Sequence, residues 1–476
     1  MKYLLLTLLV LITIGCSNSI SSNKLNNLAF DDRSTAVYLI NYSYSTLKLY
    51  DSHLDGGEWK IKPPDNIPFN TTVHMATQSN AWLTGAGGWV KYKADDGTIL
   101  KFKWYNPYVG NNSYSEETSN KVYALNRKGS GSGNNASIEW YILNTDENKN
   151  YSAIIMADPQ PWRLNTGDPN SETNKQPWLN VNKKVSESIL SHKANFHIVN
   201  GDLTEYGRAK TYNDYNDIYK KNNTLTLEGL GNHDYANNVG DCTVPEELEF
   251  SSDACAISAV LRMYKEINNY GGSVSNYSKD IKAYSGINSV EYIGSLAYSW
   301  DYGDVHYVQL HNYPTYQVKL FSQLKRGLLK KVVINKSLDW LENDLVDADS
   351  RGKITILNFH DARPSLNDGD SHFIDGSSKE DLDKFKKIIM SHNVKAIFVG
   401  HTHQQSFCHT ESDAVFGNVP VYTAGALFNG DYYYINVKGK EINVSAYNGI
   451  TGTPILVKDL GLIGQDGAKD PNCSFK

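Results

Sequence analysis

The chain has little of several features that would assign it to a protein class at once. Its formal net charge at pH 7 is only −6 over 476 residues, which argues against bulk attraction to nucleic acid, so no nucleic-acid polymer is expected as a partner. It has five cysteines and no pair at the CxxC spacing of thiolate metal sites. Its N-terminal apolar run, LLLTLLVLITI, is too short to span a bilayer as a helix.

What the chain does have predicts a folded protein of at least two domains. Its length exceeds what one hydrophobic core usually organises, and 40% hydrophobic with 21% charged residues is ordinary for a folded protein. Tyrosine is abundant, since its 32 copies exceed phenylalanine (14) and tryptophan (9) together. Such a composition favours β-structure and amphipathic contact surfaces.

The N-terminus has the layout of an export signal. One lysine precedes the apolar run, which ends at Gly15 and Cys16 and is followed by the polar stretch SNSISSNK. This arrangement resembles a bacterial lipobox, although Thr13 and Ile14 depart from the residues that such signals prefer. We expect residues 1–16 to form a lipoprotein-type signal with a lipid anchor on Cys16, which implies an exported protein on a bacterial outer or cell-surface membrane. The alternative is an ordinary signal peptide cut nearby and a secreted protein.

Four further cysteines are Cys242, Cys255, Cys408 and Cys473. An even number in an oxidising compartment favours disulfides, with three possible pairings. Cys242 with Cys255 is the local candidate, because it would staple the insertion that follows the GNHD segment. Cys408 with Cys473 would then tie the C-terminal tail to the body, and free or metal-binding thiols are the alternative.

The hydrophobic pattern divides the chain into a linker and two folded parts. Residues 17–35 are rich in Ser and Asn and are typical of a tether. Residues 36–146 alternate apolar and polar side chains between turns, which predicts a small all-β sandwich. Residues 147–476 alternate strands such as YSAIIMA with helices such as NKKVSESILSHK, then return to strands and hairpins. This predicts an α/β domain with two packed sheets flanked by helices.

Five polar segments follow apolar strands in that second part. They are ADPQ (157–160), NGDLTEYG (200–207), GNHD (231–234), NFHD (358–361) and GHTH (400–403). One such segment alone is more often a turn or a helix cap than a site. Five of them at strand ends, where α/β sheets build their sites, indicate a shared functional centre.

The residue types in these segments suit a pair of divalent metal ions. Two ions about 3.5–4 Å apart need a bridging carboxylate and about three further ligands each. Asp202 is the natural bridge, because Gly201 before it lets the backbone approach closely. Histidine and carboxylate ligands suit Fe, Mn or Zn, and the neutral amides of Asn232 and Gln160 moderate the negative charge.

The ordered set D-x-[H/Q], GDxxxxG, GNHD, a lone His and GHxH resembles the calcineurin-like metallophosphoesterase superfamily over residues 148–476. The resemblance implies a four-layer α/β fold and hydrolysis of phosphoesters, as a phosphatase or phosphodiesterase, by a hydroxide activated between two metal ions. The N-terminal signal leads us to expect this activity outside the cytoplasm. It assigns the first metal to Asp158, Gln160, Asp202 and His403, and the second to Asp202, Asn232, His360 and His401. Where this chain has Gln160 the family more often has His, which leaves the identity and affinity of the first metal open.

The resemblance also assigns catalytic roles. His233 is expected to contact the scissile phosphate and protonate the leaving oxygen, with Asp234 orienting its imidazole. By their positions, Trp162 and Arg163 just after ADPQ and Arg363 after NFHD are candidates for lining the substrate pocket. The competing hypothesis is a surface lipid- or glycan-binding protein with an inactive phosphoesterase fold.

The first domain offers no catalytic constellation of its own. Its turn GAGGW and its segment WYNPYVGNNSYS are similar to aegerolysin-like β-sandwiches, which recognise membrane sphingolipids; Trp104, Pro107, Gly110 and Asn111 carry the resemblance. A membrane lipid is therefore one expected partner of this domain. A carbohydrate-binding module or a generic spacer fits the composition equally well.

Two further histidines, His306 and His311, lie in strand-like sequence and are expected to be packed or hydrogen-bonded rather than metal ligands. The long insertion at 235–298 is the expected place for substrate selectivity, since loops distinguish substrates that share one metal core.

Overall fold

A computed structural model describes residues 33–69, 71–129, 131–164, 167–168, 171–220, 224–240, 242, 251–323, 329–362, 371–409 and 411–464. The expected signal, Cys16 and most of the tether lie outside these residues, as do Arg363 and Cys473. Within the described ranges, no helix combines the length and apolar composition needed to cross a membrane.

The N-terminal part is all β, as predicted. Its strands are β1 (Ser34–Tyr42), β2 (Leu47–Gly56), β3 (Glu58–Ile61), β4 (Asn66–Ile67), β5 (Thr71–Gln78), β6 (Ala86–Lys93), β7 (Ile99–Asn106), β8 (Ser113–Thr118), β9 (Tyr123–Lys128) and β10 (Asn135–Asn144). They form two five-stranded sheets, ordered β3-β5-β1-β10-β9 and β4-β2-β6-β7-β8.

Period-two alternation places the core of this sandwich. In β7, Leu100, Phe102 and Trp104 are fully buried, while the lysines between them stay partly exposed. Phe102 packs on Trp140 of the opposite sheet with ring centroids 5.4 Å apart. In β7 the alternation of apolar and polar residues thus corresponds to a buried and a partly exposed face.

The second part carries all seven α-helices of the described chain. Its elements are β11 (Asn150–Met156), α1 (Lys175–Ser191), β12 (Phe196–Val199), α2 (Ala209–Tyr219), β13 (Leu225–Glu228), α3 (Asn232–Tyr235), α4 (Ala254–Tyr270), β14 (Ser275–Gly286), β15 (Ser289–Tyr302), β16 (Val305–Gln309), β17 (Val318–Gln323), β18 (Leu329–Ile334), α5 (Leu338–Ser350), β19 (Ile354–Asn358), α6 (His372–Gly376), α7 (Lys379–Ser391), β20 (Val394–Val399), β21 (Gln405–Cys408), β22 (Val421–Ala424), β23 (Asp431–Lys438), β24 (Glu441–Asn448) and β25 (Ile455–Leu462).

These elements form two sheets packed face to face. One sheet has the order β13-β12-β11-β23-β24-β25, and the other runs β17-β18-β15-β16-β19-β20-β22-β21 with β14 paired to β15. Phe196 of the first sheet meets Tyr307 of the second with ring centroids 5.4 Å apart. Strands such as β11 are nearly continuous apolar runs because they are covered on both faces.

Helices cover the outer face of each sheet, which confirms the predicted four-layer α/β fold. On one side, α5 and α7 bury Leu345 and Phe385 against Leu357 of β19. On the other side, Ser188 of α1 hydrogen-bonds to the Tyr432 hydroxyl of β23 at 2.9 Å. The amphipathic spacing of both helical segments is thus satisfied by a neighbouring sheet.

Part of the insertion at 235–298 is packed into the hydrophobic core. The run ACAISAV begins α4, and Ile257 and Val260 are fully buried in the core. A disulfide joins Cys242 to Cys255 and fixes the start of this helix, as the local pairing predicted. The α4 part of the insertion is therefore core, residues 241 and 243–250 lie outside the described residues, and the role of the insertion in selectivity stays a prediction.

The two histidines expected to be structural are confirmed as such. His306 in β16 lies between two carboxylates, with Nδ1 2.7 Å from Asp301 and Nε2 2.9 Å from Asp344. His311 accepts a hydrogen bond from the backbone N–H of Leu230 at 3.0 Å, and its Nε2 lies 2.8 Å from the carbonyl oxygen of Leu296.

Candidate metal centre

The five polar segments meet at one edge of the packed sheets. Strands β11, β12 and β13 are parallel neighbours, and so are β19 and β20. Because the carboxyl ends of parallel strands lie at the same edge, the loops that follow them converge. The loop residues expected as ligands are Asp158, Gln160, Asp202, Asn232, His360, His401 and His403.

Five of those seven residues have a left-handed backbone. The φ angles are 54° at Asp158, 31° at Gln160, 53° at Asp202, 73° at His401 and 59° at His403. For a residue with a side chain, such a conformation costs on the order of 1 kcal/mol or more and persists only where the surroundings impose it. Concentrated strain of this kind is typical of functional sites.

Glycine allows the loops to approach each other at the centre. Gly201 has a φ of +86°, and a Cβ added there would lie 2.7 Å from Nδ1 of His360. At Gly231 an added Cβ would collide with the carboxylate of Asp202. The close approach expected at Gly201 is therefore real, and any side chain at either position would push ligand groups apart.

Asp202 lies in the middle of the cluster, as the bridging role requires. Its Oδ2 is 3.3 Å from Nε2 of His360 and 3.3 Å from the amide nitrogen of Gln160. Its Oδ1 accepts a hydrogen bond from the backbone N–H of His233 at 2.9 Å. One carboxylate thus faces groups assigned to both metals.

The remaining ligands complete two groups around Asp202. Oδ1 of Asn232 lies 2.9 Å from Nε2 of His360 and 3.1 Å from Nδ1 of His401. On the other side, Nε2 of His403 lies 3.4 Å from Oδ1 of Asp158. The structure therefore brings all seven expected residues together in one cluster.

Two buried oxygens test whether the cluster fits metal ions. Among the residues that the structure describes, Asp158 Oδ1 and Gln160 Oε1 are buried and have no hydrogen-bond partner. Leaving such an atom unsatisfied costs about 1–3 kcal/mol. A divalent cation would coordinate both oxygens, and the surrounding imidazoles and carboxylates are the ligands that Fe, Mn and Zn accept. The residues present fit the ions.

The charges of the cluster also favour cations. Burial alone would raise the pKa of Asp202, but the facing charges of His360 and His233 hold it well below its ordinary value. Burial alone would lower the pKa of His360, but the carboxylates of Asp202 and Asp158 raise it to about 10. The carboxylates thus favour positive charge at the centre, and a bound metal would displace the proton from His360.

His233 lies beside the cluster with a carboxylate behind its ring. Its Nδ1 is 3.1 Å from Oε1 of Glu205, and Glu205 in turn accepts a hydrogen bond from Arg163 at 2.9 Å. Burial lowers the pKa of His233, but Asp202 and Glu205 outweigh it and raise the pKa to about 9. Glu205 therefore orients and charges this imidazole.

The orienting role expected for Asp234 was wrong. Its buried carboxylate accepts hydrogen bonds from the backbone N–H groups of Leu203, Thr204 and Gly231 at 2.9–3.0 Å, and from the Thr204 hydroxyl at 2.7 Å. These bonds tie the Asp202 loop to the loop before Asn232. Glu205 takes the place that sequence adjacency gave to Asp234, although it stands in the quoted segment NGDLTEYG without a role.

A second group beside the cluster was missed altogether. Oδ2 of Asp361 lies 3.6 Å from Nε2 of His401 and 3.0 Å from Nδ1 of His372. These three residues could together offer ligand atoms to a metal ion. Asp361 stands in the NFHD segment, whereas His372 opens α6 and no motif marked it.

The two residues after ADPQ that were expected to line the pocket, Trp162 and Arg163, lie in different surroundings. Trp162 is buried, and its indole N–H donates to Asp214 at 2.8 Å, so it supports the loop instead of facing substrate. Arg163 is partly exposed beside Glu205, where its guanidinium is available to a phosphate.

Comparison with known proteins yields one family match. The model of the calcineurin-like phosphoesterase family matches residues 154–405. No curated protein matches the chain. Among solved structures, a dimetal phosphatase from Danio rerio is 10% identical, with a TM-score of 0.39 and coverage of 65% of this chain and 99% of that one.

Two other solved structures are also similar to parts of the chain. A purple acid phosphatase from seeds of yellow lupin, Lupinus luteus, is 10% identical, with a TM-score of 0.40 and coverage of 89% of this chain and 74% of that one. The lipid binding protein Nakanori is 13% identical, with a TM-score of 0.21 and coverage of 23% of this chain and 70% of that one.

Proposed function

The chain belongs to the calcineurin-like phosphoesterase family, and from that premise we propose that it hydrolyses phosphoesters with two divalent metal ions held by the seven-residue cluster. The observation that carries the proposal is that one buried oxygen on Asp158 and one on Gln160 have no hydrogen-bond partner among the described residues. Both face a centre crowded with imidazole and carboxylate groups, and an ion is what satisfies such oxygens at least cost.

We assign the cluster to two ligand sets that share Asp202. Asp158, Gln160 and His403 complete the first set, and Asn232, His360 and His401 complete the second. When bound, such ions acidify a water molecule and neutralise phosphoryl oxygens. Fe, Mn and Zn all suit these ligands, and Gln160 makes the first set the weaker one.

His233 is the residue that we assign to the leaving oxygen. Its backbone is fixed to Asp202 and its ring to Glu205, so the imidazole is held at the edge of the cluster without being a ligand. A positioned imidazole can donate a proton to a departing alkoxide. Arg163 and His372, both partly exposed beside the cluster, are available to the non-bridging phosphoryl oxygens.

The test combines metal analysis with two chromogenic substrates. The protein is incubated with Mn, Fe or Zn, its metal content is measured, and hydrolysis of a nitrophenyl phosphomonoester and the corresponding diester is followed. Asn232→Ala should lose bound metal and turnover together, and His233→Ala should lose turnover while retaining metal. His53→Ala, a change at an exposed histidine in the N-terminal domain, is the matched control and should behave as wild type.

The competing hypothesis of an inactive phosphoesterase fold predicts the opposite results. An inactive phosphoesterase fold that serves only as a surface-binding protein would contain no metal after incubation with each ion and would hydrolyse neither ester. Unchanged turnover in both Asn232→Ala and His233→Ala would also contradict the assigned site.

We further propose that the protein is exported, is anchored through a lipid on Cys16, and meets a membrane lipid through one end of the N-terminal sandwich. Arg33 links two loops there, since its backbone oxygen accepts from Ser79 and its guanidinium donates to the carbonyl of Tyr108. Those loops expose Trp82 by 72% and Val109 by 83%. The described chain begins at Arg33, beside these loops, and exposed apolar and aromatic side chains suit a lipid interface.

A vesicle assay tests the lipid partner. The mature chain with Cys16 replaced by Ser is mixed with vesicles of phosphatidylcholine and sphingomyelin and sedimented. Trp82→Ser should reduce binding to the vesicles. Trp59→Ser is unsuitable as a control because it would disturb the core. The matched control is Tyr50→Ser, at an exposed position of β2. Absence of binding to any lipid mixture would leave a glycan partner or a spacer role.

A further inference from the structure

We propose that Asp361 is a positioning residue that fixes the imidazole of His401 for the second metal ion and holds His372 at the edge of the site with the same carboxylate. This inference rests on the proposed function, because it assigns a role toward ions that the cluster would bind. Asp361 belongs to neither ligand set, and the motifs give it no role.

The first support is the way Asp361 is held. Its backbone N–H donates to the carbonyl of Asn312 at 2.9 Å, and its side chain is fully buried. Its Oδ1 accepts from the Ser371 hydroxyl at 3.1 Å, and its Oδ2 accepts from the backbone N–H of His372 at 2.7 Å. A buried carboxylate needs such donors, and they leave it little freedom to turn.

The second support is that the two nitrogens of the His401 ring face different groups. Nδ1 faces Asn232, the neighbouring ligand of the second set, at 3.1 Å. Nε2 faces Oδ2 of Asp361 at 3.6 Å. A histidine that binds a metal through one nitrogen commonly donates its other N–H to a carboxylate, which fixes its tautomer and its orientation. Asp361 stands where that carboxylate belongs.

The third support is that the backbone of His401 is held on the side of the first ligand set. His401 has a left-handed φ of 73°, and its N–H donates to Oδ2 of Asp158 at 3.0 Å. The main chain is therefore tied to the first ligand set, and the ring must reach across to the second. With the backbone held on one side, the group that faces the far nitrogen of the ring is the carboxylate of Asp361, at 3.6 Å.

The same oxygen also reaches His372. Nδ1 of His372 lies 3.0 Å from Oδ2 of Asp361, and the His372 side chain is 46% exposed. The rings of His372 and His401 have centroids 5.1 Å apart in an edge-to-face arrangement. One carboxylate thus connects a metal ligand with a solvent-facing imidazole, so that placing one ring also places the other.

The test is metal binding by the full mature chain, with Asp361→Asn compared with Asp375→Asn. Asp375 is an exposed carboxylate on α6 that accepts from the backbone N–H of Ser371 at 3.1 Å, so its replacement controls for damage to that helix. Stripped proteins are titrated calorimetrically with Mn and with Zn, and the thermal unfolding of the metal-free forms is recorded.

We expect Asp361→Asn to bind one ion as wild type does and the second about 10–100-fold more weakly. Turnover should be lost at low metal concentration and recover when the metal concentration is raised, a dependence that a merely structural role would not produce. His372→Ala should keep both affinities, and Asp375→Asn should match wild type throughout.

Three results would overturn the proposal. The first is an unchanged affinity for the second ion in Asp361→Asn. The second is an equal weakening of both ions together with a less stable metal-free form. The third is binding of three ions by wild type and two by the variant, which would make Asp361 a ligand. If Asp361→Asn does not fold, Asp361→Glu tests the same point, because an added methylene displaces the carboxylate and should weaken the second ion alone. A wild type that binds two ions but hydrolyses no ester would contradict only the proposed function.

Discussion

Nδ1 of His233 lies 3.1 Å from Oε1 of Glu205, although the residue next to His233 in the chain is also acidic. The carboxylate of that neighbour, Asp234, is occupied by the backbone of the Asp202 loop. Two acidic residues therefore have separate tasks, one toward the imidazole and one toward the loops. Substitution distinguishes the two tasks.

Glu205→Gln should lower kcat while leaving metal content unchanged. The amide keeps the shape of the side chain but not the charge that favours the imidazolium of His233. Loss of a general acid typically costs on the order of 10²–10⁴ in rate, so His233→Ala sets the ceiling and Glu205→Gln should cost less. The change in kcat is measured by steady-state kinetics with the chromogenic monoester. Glu172→Gln, at an exposed glutamate paired with Lys210, is the control, and equal rates in both variants would contradict the pairing.

Asp234→Asn should act mainly on stability. The neutral amide weakens charge-assisted hydrogen bonds from the backbone of Leu203, Thr204 and Gly231, each of which contributes about 1.5–3 kcal/mol. We expect a loss of about 2 kcal/mol or more in the free energy of unfolding, measured with urea on the metal-free protein. A variant as stable as wild type but with the kinetic defect of Glu205→Gln would restore the orienting role to Asp234.

Gln160→His should tighten the first metal site. An imidazole binds Fe, Mn or Zn more strongly than a carboxamide does, and the position already lies at the cluster, 3.3 Å from Asp202. Calorimetric titration should show a higher affinity for one ion and no change for the other. If neither affinity changes, Gln160 is not a ligand and the first set is incomplete.

His306 should make stability depend on pH in the alkaline range. Burial lowers the pKa of His306, but its hydrogen bonds to Asp301 and Asp344 raise it from 6.5 to about 9. A raised pKa means that the contribution to stability is complete below pH 6.5 and is lost as the pH rises through 9, with a size on the order of 3 kcal/mol. Arg351, which donates to Asp301 at 2.9 Å, stays charged throughout that range.

Urea unfolding at pH 6 and pH 9.5 checks this dependence. The wild-type free energy of unfolding should fall between the two values by more than that of His306→Gln, which cannot titrate. Equal pH dependence in the two proteins would show that the charge on His306 contributes nothing.

The meeting of the seven expected residues could be predicted because their segments follow strands, and parallel strands bring their ends together whatever the details of the loops. The partner of His233 could not, because Glu205 and Asp234 are both acidic residues in quoted segments. Only the path of the loop after Asp202 decides which of them meets the ring. Sequence adjacency favoured the wrong one.

His372 illustrates a different limit. It lies 12 residues after His360 in the chain, in a segment with no motif, and becomes relevant only because α6 begins beside Asp361. In the N-terminal sandwich, alternation predicted the strands and their buried faces, but not that β1 pairs in parallel with β10, about 100 residues away. Local patterns specify strands, whereas long-range pairing depends on the packing of the whole sheet.

Anomalous X-ray diffraction from crystals grown with Mn or Zn tests the central claim most directly. We predict two peaks about 3.5–4 Å apart on either side of the Asp202 carboxylate, one next to Asp158, Gln160 and His403 and the other next to Asn232, His360 and His401. A single peak, or a peak between Asp361 and His372 with none at Asp202, would contradict the two-metal centre.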